Sequence, residues 1–399
     1  MKVTSKIKKR KRVLFYEPST GYGGSARCLL GWLKYIDEKK VKPFVAVHFD
    51  GPAIKAMKRS EIRVINIFYF KFLQQLSMVI KGSTIPAYIV FIFEFILNII
   101  PVTIYLMLII QVKKISLVDV NSSIITGIPG ILAAKFTGTP CVCHIHDTRL
   151  MTTKEKLFTK TITKFFILTK KAMHLYSDLG KERMVLLYNA LDLQAWKTSD
   201  QTQCVYKELA ISSDDIVVGM VGRITKGKGH SEFLKAAEMV SKERQDVTFL
   251  IVGGAVFTDK GYERYLWQLA AKSVASERII FTGWRDDVRE VMSSIDILAF
   301  PTTTFPEGFP VTCVEAMALS KPVIASDIPG PSEIVVDNVT GFLVGPGDEK
   351  ALADKILYLI KNPLASKEMG LAGRKHAESF FDVKKSVKKI EEVYEKIVG

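Results

Sequence analysis

Twice in this chain a short, wholly apolar run leads into a glycine-rich loop, and each loop opens a helical stretch. The first run is residues 13–16 (Val-Leu-Phe-Tyr), followed by a loop over 18–24 and a helical stretch over 26–35. The second is residues 216–221, followed by a loop over 222–229 and a helix over 230–240. A strand without polar alternation is buried on both faces. That is the state of a strand inside a parallel sheet covered by helices.

The same alternation fills the rest of the chain. Further strands are expected at 44–49, 64–68, 117–120, 142–145, 166–168 and 184–187, with residues 124–126 bordering a loop and a helix over 129–137. In the second half strands are expected at 247–252, 279–282, 295–300 and 322–325, with a short edge strand at 341–344. The tail reads as three helices broken near Asn362-Pro363 and Phe380-Phe381. An α/β chain of 399 residues with this pattern resolves most simply into two Rossmann-like domains divided near residue 190.

Charge separates the halves. Residues 1–190 carry 30 Lys/Arg against 11 Asp/Glu, whereas residues 191–399 carry 26 against 30. The net +15 is therefore +19 on one domain and −4 on the other. Nucleic acid, an anionic membrane surface or an anionic substrate all suit such a domain. No aromatic-basic recognition motif accompanies the charge, so nucleic acid is not an expected partner. Cys28, Cys141, Cys143, Cys204 and Cys313 show no metal or disulfide framework, the close pair Cys141 and Cys143 reads as core thiols, and a reducing compartment fits. The basic start is followed by too short an apolar run for a signal peptide.

Residues 85–110 contain no Lys or Arg and one acid, Glu94. Twenty-six residues are long enough to span a hydrocarbon core of about 30 Å. A crossing here would place strands of one sheet on opposite sides of a bilayer. The segment is therefore expected to cover the first sheet and dip an apolar face into the membrane interface, beside the aromatics of 68–73, the alternatives being a buried or oligomer-contacting segment or a crossing.

Several loops carry candidate chemistry. Gly21, Gly23 and Gly24 let a ligand approach a helix N-terminus, though the spacing is neither GxGxxG nor a Walker loop. Arg223 and Lys228 flank the second glycine loop and suit a diphosphate, Arg through two parallel bonds and Lys as a point charge. Glu307 lies in a loop after a strand, and Glu315 on the helix that follows, which begins near Phe309 or Pro310. Asp286-Asp287 read as a helix cap rather than a metal pair.

The run Glu307-Gly308-Phe309-Pro310 with Glu315-Ala316-Met317-Ala318 resembles the EX7E signature of retaining glycosyltransferases of family 4, which have the GT-B fold. Gly222-Arg223, Lys228-Gly229, Lys321-Pro322-Val323-Ile324-Ala325 and Asn338-Val339-Thr340-Gly341-Phe342-Leu343-Val344 match further segments. Tyr188-Asn189-Ala190-Leu191-Asp192 matches with Ala190 in place of the usual Gly.

The resemblance implies two Rossmann-like domains facing each other across a cleft. Residues 1–190 would bind acceptor and 191–380 the nucleotide-sugar, with a helix in 381–399 crossing back to the first domain. It implies that Gly23 and Gly24 lie near donor phosphate and acceptor, and that His146 lies near the transferred sugar. Arg223 and Lys228 would neutralise the leaving diphosphate. Glu307 would hold sugar hydroxyls, with the backbone of Gly308, Phe309 and Pro310 around the phosphates and Glu315 on the ribose. Gly253-Gly254 and Trp284-Arg285 would line the nucleotide pocket. His144, two residues before His146, is expected to be structural.

The implied function is retaining sugar transfer from a nucleotide-sugar to a lipid-linked or glycan acceptor, as in cell-surface polysaccharide or glycolipid synthesis. UDP-sugar is the family's common donor and GDP-sugar is also admitted. No divalent metal or other cofactor is expected. The chain would sit in the cytoplasm, peripherally on an anionic membrane surface; its oligomeric state stays open. The alternatives are the same chemistry on a soluble acceptor, or an inactive GT-B scaffold or binding subunit.

Overall fold

A computed structural model of the chain describes residues 10–19, 24–60, 62–70, 92–146, 148–198, 201–304 and 307–399. The chain forms two compact units, Met1–Tyr188 with Val383–Gly399, and Asn189–Asp382.

The first unit holds β1 (Lys11–Glu17), β2 (Val41–Val47), β3 (Val64–Asn66), β4 (Leu117–Val120), β5 (Cys141–Ile145), β6 (Lys164–Ile167) and β7 (Met184–Leu186). They pair in parallel in the order β3-β2-β1-β4-β5-β6-β7. Strand ends depart from the sequence pattern by up to three residues, because pairing partners set them: Val41 enters β2 opposite Lys11. Residues 124–126 form the turn before the helix Ile128–Thr137. Cys141 and Cys143 are buried thiols.

The second unit holds β8 (Ile216–Val221), β9 (Val247–Val252), β10 (Ile279–Gly283), β11 (Ile297–Phe300), β12 (Val323–Ser326) and β13 (Gly341–Val344). Their order is β10-β9-β8-β11-β12-β13, again parallel. In each sheet the chain runs outward on one side of the first strand and then returns to its other side. This leaves a switch point between β1 and β4, and another between β8 and β11. Ligands of open parallel sheets bind beyond the carboxyl ends of the strands at such points.

Residues 85–91 of the apolar segment lie outside the described residues. From Ile92 a helix runs to Lys113, long and apolar enough by length and composition to cross a membrane. It includes a π-helical turn at Phe95–Ile99. Val102, Leu106, Ile109 and Ile110 pack into the first core. The opposite face is open: Ile96, Ile104, Leu108 and Val112 are 52%, 53%, 52% and 71% exposed. Asn98 and Thr103 turn inward. The Asn98 side chain accepts from the Phe70 N–H at 2.8 Å and donates to Glu94 at 3.0 Å, and the Tyr69 hydroxyl donates to Glu94. Because β1 precedes this helix, β4 follows it, and the two strands pair directly, both flanks belong to one sheet.

The last helix, Val383–Val398, packs on the first unit. The Tyr394 hydroxyl donates to buried Asp119 at 2.5 Å, and Glu391 accepts from the Asp37 N–H at 2.7 Å.

Candidate active site

In the second unit the loops after β8, β9, β10 and β11 are laced together by their backbones. The Gly222 N–H donates to Val252 O, Ile224 to Gly254 O and Gly253 to Gly283 O, at 2.9–3.1 Å. Gly253 has φ +133°, and a Cβ there would lie 2.1 Å from the Gly222 carbonyl oxygen. Across the switch point, the Thr303 N–H donates to Gly227 O at 2.8 Å. Gly229 has φ +87°, and a Cβ there would meet Pro301 O at 1.9 Å. Only glycine allows either approach.

This lacing brings the sequence candidates together. Lys228 Nζ is paired with Glu307 Oε1, and the Thr302 hydroxyl donates to the same oxygen at 3.3 Å. The ammonium also lies over the Phe300 ring, 5.5 Å from its centroid. Both partners are largely withdrawn from water, with side chains 16% and 8% exposed. The helix Val311–Ala318 starts just beyond its N-cap Pro310, which has no side-chain acceptor to cap it. Glu315 is buried on this helix. Cys313 lies between: burial raises its thiol pKa well above the usual value, and the charges of Glu307 and Glu315 push it further. Arg223 is exposed on the glycine loop, Gly308 is half-buried, and Phe309 and Pro310 are buried.

Beyond β10 the helix-cap expectation needs correction. Trp284 is 63% exposed and lies over Gly254. Arg285 is committed to Asp287 and Glu208, at 2.6 and 2.9 Å from Nη2. Asp287 precedes the helix Val288–Ser293 but makes no capping bond, because its carboxylate is taken by Arg285.

In the first unit Gly23 lies outside the described residues, as do Gly21 and Asp147; Gly24 begins the helix Gly24–Tyr35. His146, just past β5, is partly exposed, and its Nε2 lies 3.1 Å from Asn121 Oδ1. Asn121, just past β4, also donates to Glu17 at 2.5 Å and to the Ser25 carbonyl at 3.1 Å. Burial and the neighbouring His144 lower the His146 pKa to about 3. His144 is structural: it is fully buried, 3.0 Å from Asp119, between the rings of Trp32 and Phe166.

Glu17, Asn121 and Thr302 escaped the sequence reading. Glu17 and Asn121 end or follow apolar strands at the switch point, and Thr302 follows β11. A polar residue there is a signal only once the strand order is known. Among the described residues no group of three or more His, Cys, Asp or Glu gathers as metal ligands.

Residues 205–376 match the family described as Glycosyl transferases group 1. A Staphylococcus aureus capsular polysaccharide biosynthesis glycosyltransferase, CapM, is 27% identical over 286 residues, covering 67% of this chain and 73% of its own. An Escherichia coli UDP-Gal:α-D-GlcNAc-diphosphoundecaprenol α-1,3-galactosyltransferase is 26% identical over 303 residues, covering 71% and 76%. The crystal structure of Anabaena HepE in complex with UDP and glucose superposes with a TM-score of 0.81 at 23% identity, over 97% of this chain and all of its own. A glycosyltransferase from Rickettsia africae also gives 0.81, at 21% identity over 98% and 99%. At these identities the structures show the fold. The chain is a glycosyltransferase of the GT-B fold, related to the group 1 family.

Proposed function

We propose that the chain moves a sugar, with retention, from a nucleotide-sugar to a lipid-linked or glycan acceptor at the cytoplasmic face of a membrane. UDP-sugar is the first donor to test, followed by GDP-sugar. The observation that carries this reading is the Lys228–Glu307 pair at the second switch point, inside the segment that matches the family. The complex of HepE with UDP and glucose and the substrates named for the E. coli relative agree with it.

In the proposed chemistry the pair opens to the donor. Lys228 and Arg223 neutralise charge building on the leaving diphosphate as the bond to the sugar's anomeric carbon loosens. The helix start at Val311 adds a partial positive charge, with the backbone of Gly308, Phe309 and Pro310 around the phosphates. Glu307 holds sugar hydroxyls, Glu315 the ribose, and Gly253 the close approach beside the nucleotide. Gly23 and Gly24 serve donor phosphate and acceptor, and His146 serves the transferred sugar. The acceptor hydroxyl attacks from the face the diphosphate leaves, and an oxygen of the leaving diphosphate takes its proton. No protein carboxylate is assigned as a nucleophile. Arg223, Lys228, Glu307 and His146 are the proposed catalytic residues, and no divalent metal takes part.

Membrane association rests on the exposed face of the Ile92–Lys113 helix and on cations gathered at its end. Arg12 donates to the Lys113 carbonyl at 2.7 Å, and crowding by Arg63, Arg12, Arg10 and Lys113 lowers the pKa of Lys42. An apolar face ending in clustered cations suits an anionic lipid surface.

The deciding experiment is a hydrolysis and transfer screen over UDP-, GDP- and ADP-sugars, with a lipid extract as acceptor. Turnover of one donor that depends on the extract is the expected result. No turnover of any donor would overturn the reading and favour a binding subunit.

A further inference from the structure

Asn121 has no residue motif to announce it, yet it is fully buried and spends both polar atoms of its side chain at the first switch point. Its amide nitrogen faces Glu17 Oε2 at 2.5 Å and the Ser25 carbonyl oxygen at 3.1 Å. The Ser25 oxygen can only accept, so the NH2 end of the amide must face it. That orientation leaves Oδ1 toward His146 Nε2, at 3.1 Å. An amide oxygen also can only accept. The proton of a neutral His146 is therefore on Nε2, and Nδ1 carries a bare lone pair.

We propose that Asn121 is a positioning residue that holds His146 in the Nε2–H tautomer, so that the ring offers only an acceptor, Nδ1, to a hydroxyl of the bound sugar or acceptor. This inference rests on the proposed place of His146 in sugar transfer. It adds the identity of the group His146 can meet: a hydroxyl fits, whereas a phosphate oxygen, having no proton to give, does not. Burial keeps the ring neutral, with a pKa of about 3, so near pH 7 it orients the hydroxyl and is too weakly basic to take its proton. Glu17 completes the arrangement from behind. Its other oxygen accepts from the Ser19 N–H at 2.9 Å, which ties the amide to the end of β1.

The test is a long-range 1H–15N correlation spectrum of full-length protein labelled at histidine, with the His146 signals assigned from their loss in His146→Gln. Wild type is expected to show a neutral ring protonated at Nε2. A ring protonated at Nδ1, or doubly protonated at pH 7.5, would overturn the proposal. Asn121→Ala should abolish the single tautomer and lower kcat about tenfold, with donor KM changed less than twofold. An unchanged tautomer in that variant would equally overturn it. Should Asn121→Ala not fold, Asn121→Asp keeps an acceptor at Nε2 and adds a charge; His146 is expected to stay protonated at Nε2 and titrate at a higher pH, and a ring protonated at Nδ1 alone would refute the assignment. The spectrum is independent of turnover. Full activity in His146→Ala would sink the role in transfer and leave the tautomer standing.

Discussion

Lys228 and Glu307 stand 79 residues apart in the chain and form an ion pair beyond the carboxyl ends of β8 and β11. Nothing local joins them. They meet because β8 and β11 are neighbours in the sheet while the chain between them builds its other side. In the described structure each group satisfies the other, and a donor with a diphosphate and a hydroxylated sugar offers each a replacement partner.

Glu307→Ala should lower transfer by about 10²–10³-fold, the usual scale for a lost group that stabilises developing charge or holds the reacting sugar. Circular dichroism should be unchanged. Near-normal turnover in steady-state assays would refute the role given to Glu307.

Lys228→Ala should cost stability as well as activity. It leaves a carboxylate that is 8% exposed without its cation, and breaking such pairs costs about 3–5 kcal/mol. Double substitution to Lys228→Met with Glu307→Gln should recover most of that loss in urea unfolding, though not the activity.

The exposed helix face predicts a membrane measurement. Ile104→Gln with Leu108→Gln should lower partitioning onto anionic vesicles by about tenfold or more, since burying each such side chain is worth roughly 1.5–3 kcal/mol. Binding by the wild type should weaken in high salt, which screens the cations around Arg12. Sedimentation unchanged by either treatment would rule the interfacial reading out.

Stability should fall as pH drops below about 6.5. Burial lowers His48 to about 4, and His146 and His230 to about 3. In the unfolded chain these rings take up protons near pH 6.5, while the folded ones stay neutral. Unfolding therefore binds protons and is favoured by acid. By pH 5 each ring contributes a loss on the order of 2 kcal/mol. Thermal melts from pH 7 to pH 5 check the direction, and His230→Leu should flatten the slope.

Gly253→Ala should destabilise the second unit by more than about 1 kcal/mol, because its φ of +133° is strained for alanine and the added carbon meets the Gly222 carbonyl. Tyr394→Phe should cost about 1.5–3 kcal/mol through the lost bond to buried Asp119. Both are read as shifts in Tm.

The alternation of apolar runs and helices was enough to identify parallel α/β architecture, because a strand buried on both faces has no polar period to confuse it. Loops with Gly222, Arg223 and Lys228, or with Glu307, declared themselves through residue types that folding alone does not demand. The apolar segment was legible as excess hydrophobicity, but which of its residues face water was not. Its internal Glu94 and Asn98 are, in the fold, tethers to Tyr69 and Phe70.

By itself the sequence determined the class of fold and the segments that carry chemistry, since both follow from local composition and spacing. The tertiary structure decided which segments meet. Glu17 and Asn121 are 104 residues apart and touch only because β4 inserts beside β1. Parallel strand order is set by crossover connections and by competition for the sheet's two edges. Those are energies of the whole packed domain, with no signature in any window of residues.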